Sequence, residues 1–199
     1  LWAELSPTED LAAVSLYPKD PTQQVLPRLE LWDVRSAQFI KQVGISMVSL
    51  LGAWSPRGDR LLTGSLMEVG EPGDPLEWES ALWSIPEVEL LVKLEQDQPC
   101  GEVSFSSDGE HLATACADDG LVYVWNGRDG ESLGKFEGHD ARDFITMHFS
   151  PTNPDLLATT SIDQSTRVWD VSKGEQINLF VGMTSRPNLN GAGGWAEDS

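Results

Sequence analysis

The side chains with the most chemistry to offer are three histidines, two cysteines and a long acidic run. His111, His139 and His148 stand apart, with no H-x-x-x-H spacing and no Cys/His grouping that would hold zinc. A general base needs a nucleophile and an orienting acid within reach. No G-x-S-x-G elbow, P-loop or G-x-G-x-x-G turn accompanies these residues, and the glycine-rich run at 191–194 lacks a following Lys-Ser/Thr and helix. Cys100 and Cys116 form no C-x-x-C pair and are too few for a disulfide framework. They are expected to be small buried hydrophobes, neither metal ligands nor a redox pair. The pattern therefore predicts no catalytic residue, no metal and no cofactor.

Charge says more about partners. With 32 acids against 13 bases, the chain carries a formal net charge of -19, which opposes a phosphate backbone and predicts no direct nucleic-acid binding. Between Met67 and Val92 lie Glu68, Glu71, Asp74, Glu77, Glu79, Glu87 and Glu89, with no Lys or Arg among them. Such a concentration would attract a Lys/Arg-rich tail and weaken its hold as salt rises. Glu68, Glu71, Asp74 and Glu77 are the candidate contacts, with Trp78 as an indole anchor. The competing reading is a solvated insertion. Arg57-Gly58-Asp59 spells an adhesion tripeptide but sits in a turn that recurs along the chain, and it is read as that turn.

The elements that would position these groups are strands. LLATTSIDQSTRVWD, residues 156–170, holds an apolar run, an acidic turn and an alternating run that closes on Trp169-Asp170. LELWD, SALWS, VYVWN and TRVWD repeat that ending, placing Trp32, Trp83, Trp125 and Trp169 at spacings of 51, 42 and 44 residues. Ser/Pro/Gly/Asp turns starting at Ser6, Ser55, Ser106 and Ser150 keep similar intervals. Each unit thus reads as four strands. In the third they fall near 102–106, 111–116, 121–126 and 131–136, and in the fourth near 144–149, 156–161, 166–171 and 175–180. Residues 19–27 and 67–78 read as long connections in the looser first two units. Four-stranded units of roughly 40 to 50 residues predict β-propeller blades, each burying both faces against its neighbours.

On these residues the third and fourth units resemble WD40 (WD-repeat) blades, with Gly138-His139 ahead of the fourth and Trp169-Asp170 closing its third strand. The resemblance implies a hydrogen-bonded set of His139, Thr159, Asp163 and Trp169 that pins the blade. The third unit has Thr114, Asp118 and Trp125 but ends in Asn126 and has no preceding Gly-His. The second ends in Trp83-Ser84, and the first has Trp32-Asp33 without a matching His or turn Asp. The family's usual ring has seven blades, occasionally eight, so four blades imply a segment of a larger ring. The expected division is 1–44, 45–96, 97–137 and 138–181, with 182–199 a glycine-rich connection to a further blade. An opening Leu in place of Met also suggests part of a longer polypeptide.

The functional expectation is a non-catalytic protein-protein interaction scaffold within a multiprotein assembly. Its alternatives are a reader of basic, histone-like peptides through the acidic run, and a substrate receptor of a cullin-RING ubiquitin ligase, since Trp32-Asp33-Val34-Arg35 resembles the W-D-x-R ending whose Arg contacts the ligase adaptor. A propeller enzyme is the rival from another class. No apolar run approaches the roughly 18 to 20 residues that span a bilayer, and no signal-peptide layout opens the chain. The expected address is intracellular, nucleus or cytoplasm, with no membrane partner.

Overall fold

The structure is a computed structural model that describes residues 2–16, 28–43, 48–68, 76–96, 100–116, 120–140 and 145–182. Its described residues form four antiparallel sheets and no helix. The first holds β1 (Ala3–Leu5), β2 (Leu11–Leu16), β3 (Arg28–Asp33) and β4 (Gln38–Val43). The second holds β5 (Val48–Trp54), β6 (Arg60–Glu68), β7 (Leu76–Ser84) and β8 (Glu89–Leu94). The third holds β9 (Cys100–Phe105), β10 (His111–Cys116), β11 (Leu121–Asn126) and β12 (Ser132–Phe136), and the fourth β13 (Ile145–Phe149), β14 (Leu156–Ser161), β15 (Ser165–Asp170) and β16 (Glu175–Val181). Within each sheet the strands pair in chain order, as a meander.

Turn chemistry closes the first hairpin of every sheet. Ser55 Oγ accepts from the Arg60 N–H at 3.0 Å and Ser106 Oγ from the His111 N–H at 2.9 Å. Ser6 and Ser150 accept instead from N–H groups three residues on, those of Glu9 and Asn153. Gly58 and Gly109 supply the positive φ of 71° and 75° that these turns need. The Arg57-Gly58-Asp59 tripeptide lies inside one of them.

The sheets then stack face to face. Their first strands, β1, β5, β9 and β13, neighbour one another in sequence order, which aligns the sheets about one edge. Three apolar clusters fill the gaps. Leu29, Leu31 and Val43 of the first sheet meet Trp54, Leu61 and Trp83 of the second. Leu62, Leu82 and Leu94 of the second meet Leu112 and Trp125 of the third. Ala113, Val122, Val124 and Phe136 of the third meet Met147, Leu157 and Trp169 of the fourth. Burying a leucine-sized side chain contributes roughly 1.5–3 kcal/mol, so the stacking interfaces hold the sheets in order.

Two expectations change. Cys100 and Cys116 are buried but bonded to each other, because the β9–β10 register sets them directly opposite, with Cα atoms 3.9 Å apart. A separation of 16 residues does not show this; hairpin pairing does. The long connection at 67–78 is also shorter than expected, since β6 and β7 keep pairing through Leu66↔Trp78, Met67↔Glu77 and Glu68↔Leu76. Trp78 therefore belongs to a strand and is half-buried.

Candidate functional site

The indoles that end each third strand organise the molecule. In the fourth sheet Trp169 donates its N–H to Thr159 Oγ1 at 2.9 Å, and His139 Nε2 lies 2.8 Å from the same hydroxyl. His139 Nδ1 is 2.9 Å from Asp163 Oδ2. Every group is satisfied when the indole donates to Thr159, the hydroxyl donates to Nε2, and Nδ1–H donates to Asp163. Ser165 Oγ also donates to Asp163, as do the backbone N–H groups of Ser165 and Asp140. Burial works to raise the Asp163 carboxyl. The hydrogen bonds from Ser165 and His139, then those from the two backbone groups, outweigh it and hold the carboxyl well below the usual carboxylate range. The structure thus brings His139, Thr159, Asp163 and Trp169 into one connected set, which ties the link before β13 to β14, β15 and the turn between them.

The same core recurs with different partners. Trp83 donates to Thr63 Oγ1 at 3.0 Å and Trp125 to Thr114 Oγ1 at 3.1 Å. In the third sheet Gln96 stands where His139 stands in the fourth: its Nε2 donates to Thr114 Oγ1 at 2.8 Å and its Oε1 accepts from Ser80 Oγ at 3.2 Å. Ser80 in turn accepts the Trp78 indole N–H at 3.1 Å, so one relay runs from the second sheet into the third. Sequence reasoning missed Gln96. Its signal was position, 18 residues before Thr114 where His139 stands 20 before Thr159, together with an amide that both donates and accepts. Asp118 lies outside the described residues.

The first sheet solves the problem differently. Val14 occupies the place of the threonine, so Trp32 donates to Glu30 Oε2 on its own strand at 2.8 Å, and Arg28 pairs with the same carboxylate. Sequence reasoning missed Glu30 too.

The residue after each tryptophan has a separate task. Asp33, Ser84, Asn126 and Asp170 accept the backbone N–H of Ser36, Glu89, Arg128 and Lys173 respectively, closing the turn that follows. The turn needs a short acceptor, not a carboxylate, which explains Asn126 and Ser84. Lys173 and Ser172 also donate to Asp170 and lower its carboxyl to about 2.

The remaining candidates are scattered. Arg35 is exposed in the β3–β4 turn and pairs with Asp10. Glu71 and Asp74 lie outside the described residues, while Glu68 and Glu77 take their places at the ends of β6 and β7. His111 bridges to Asp155 at 3.2 Å across the third and fourth sheets, and His148 is exposed. Among the described residues no group of three His, Cys, Asp or Glu side chains is placed to hold a metal, and no helix is long and apolar enough to cross a membrane.

Residues 91–126 and 130–170 match the family model described as WD40, the WD domain, G-beta repeat. These two stretches are WD40 repeats. Each matched stretch starts on, or in the turn just before, the outermost strand of one sheet and ends on the tryptophan-bearing strand of the next, so the WD repeat straddles two sheets. Eukaryotic translation initiation factor 3 subunit I of Aspergillus niger is 34% identical over 84 residues, 42% of this chain and 24% of that protein. The subunit I of Schizosaccharomyces pombe is 31% identical over 81 residues, 41% of this chain and 24% of its own length. WD repeat-containing protein 1 of Bos taurus is 34% identical over 81 residues, 40% of this chain and 13% of that protein. The chain thus matches a quarter or less of the length of these relatives.

Proposed function

We propose that this WD-repeat chain is a non-catalytic interaction platform, a segment of a seven- or eight-bladed ring within a multiprotein assembly. One observation carries the reading. Val43, Leu94, Phe136 and Phe180 occupy the same register position in the four sheets, opposite the residue three before the tryptophan. The first three are covered by the tryptophan of the next sheet: Val43 clusters with Trp83, Leu94 with Trp125, and Phe136 stacks on Trp169 with centroids 4.7 Å apart. Their exposures are 1%, 6% and 6%, whereas Phe180 is 58% exposed. Ala158 and Thr160 beside it are exposed as well. A face so shaped fits a further four-stranded sheet bearing its own tryptophan. The blade division expected above, with 182–199 leading onward, belongs to this reading.

A rigid stack with exposed apolar residues along its outer strands, including Phe39, Leu90, Leu91, Leu133 and Leu179, suits a platform for protein partners. The relatives named as subunits of a translation initiation factor support membership of an assembly, and an intracellular address, nucleus or cytoplasm, goes with it. Affinity capture of the tagged full chain from its native cells tests the reading. A reproducible, stoichiometric set of co-purifying proteins is the expected result. Isolation of a lone polypeptide that turns over a small-molecule substrate would favour the propeller enzyme instead.

A further inference from the structure

At the β5–β6 hairpin end of the second and third sheets lies a cleft of about 170 Å³. It is bounded by the β5–β6, β9–β10 and β11–β12 turns, and three of its lining side chains are Arg57, Arg60 and Arg128. Three of the thirteen basic residues of a strongly acidic chain therefore meet at one place. The backbones approach closely there: a Cβ on Gly127 would come within 2.3 Å of the Gly109 carbonyl oxygen. The cleft belongs to the packed frame.

Two of the three guanidinium groups already converge on an oxyanion. Arg57 from the second sheet and Arg128 from the third both donate through Nη2 to one oxygen, Oε1 of Glu110, at 2.8 Å and 2.5 Å. Arg60 is fixed by donating Nε to the Arg128 carbonyl at 2.9 Å and Nη1 to Asp59 Oδ2 at 2.9 Å. These bonds occupy few of the five N–H donors each guanidinium carries. Hydrogen bonding from Arg128, reinforced by Arg57, also holds the Glu110 carboxyl below its usual range. The fold does not require this arrangement. The corresponding turns between the third and fourth sheets carry His111, Asp155 and Lys173, with no arginine among them.

We propose that this cleft receives a phosphorylated serine or threonine of a partner protein, with Arg57, Arg60 and Arg128 as its ligands and Glu110 as an internal competitor. The proposal rests on the platform reading above for the existence of a partner. A phosphate brings three acceptor oxygens and about -1.5 to -2 charges, against the single charge of Glu110. Planar guanidinium forks match its oxygens in pairs. The volume is that of about six waters, enough for a tetrahedral group with its shell partly removed.

The test titrates the full chain with inorganic phosphate, a phosphoserine-oriented degenerate peptide pool and the same pool unphosphorylated, following the Nε–H signals of the three arginines by NMR. Saturable shifts with phosphate, and tighter retention of the phosphorylated pool than of phosphate or the unphosphorylated pool, are expected. Arg57→Gln and Arg128→Gln, both at exposed turn positions, should each weaken retention about tenfold. Glu110→Gln should strengthen phosphate binding about fivefold by removing a nearby like charge. Unmoved arginine signals, equal retention of the two pools, or weaker binding by the Glu110 variant would each overturn the assignment. Phosphate shifts without any co-purifying partner would sink the platform and its phosphoprotein ligand but keep the oxyanion cleft; a stable partner set with silent arginines would do the reverse.

Discussion

The fourth and first sheets carry their tryptophans at the same register and satisfy them by opposite means. Trp169 donates to a neutral hydroxyl on the adjacent strand, which is itself tied to His139 and Asp163 in the flanking link and turn. Trp32 donates to a carboxylate on its own strand, held by Arg28. The first set of bonds joins four pieces of backbone; the second lies within one strand. The indole's position is therefore set by packing between sheets, while the partner of its N–H varies from sheet to sheet.

The packing half of that statement should show the largest effect. Phe136→Ala is expected to destabilise the chain by about 3–5 kcal/mol in chemical denaturation, because it strips a buried ring from Trp169. Phe180→Ala, at the same register but uncovered, should cost under about 0.5 kcal/mol in the 199-residue chain. Equal losses would erase the difference between covered and open faces.

Next comes the hydrogen-bonding half. Thr159→Val keeps shape but leaves the Trp169 N–H and a His139 nitrogen unpaired in the interior, for an expected loss of about 2–4 kcal/mol. Glu30→Gln keeps an acceptor for Trp32 and should cost about 1 kcal/mol. A larger loss at Glu30 than at Thr159 would reverse the ranking of the two sheets.

A smaller, pH-dependent effect separates them further. Since the folded Asp163 carboxyl is held below its unfolded value, its contribution is fully present above about pH 4 and is lost as pH falls toward the folded value. The stability gap between the parent chain and Asp163→Asn should therefore narrow as pH falls below about 4 in urea titrations. A gap independent of pH would contradict the assignment of Asp163 as a bonded carboxylate.

Much of this was legible in the sequence. Alternation and turn residues located β10, β11 and β14 at 111–116, 121–126 and 156–161, because apolar runs bounded by Gly, Asp and Ser mark strands that pack at least one face against a neighbour. The four turn serines and the four tryptophans were visible for the same reason. Gln96 and Glu30 were not, since a polar side chain becomes a partner only through pairing between segments that lie far apart or through a neighbour on the same strand. The Cys100–Cys116 bond and the added length of β6 and β7 likewise depend on register, which composition does not encode. The arginine cleft joins arginines up to 71 positions apart and has no local motif.

Exchange of the indole N–H protons with solvent deuterium, resolved by NMR for each tryptophan, tests the central claim most directly. Trp83, Trp125 and Trp169, buried and bonded to threonine hydroxyls, should exchange only through global unfolding, with one shared free energy, while half-buried Trp32 exchanges faster. Rapid exchange at Trp169, or protection at Trp32 equal to the other three, would show that the indoles do not hold the sheets together as described.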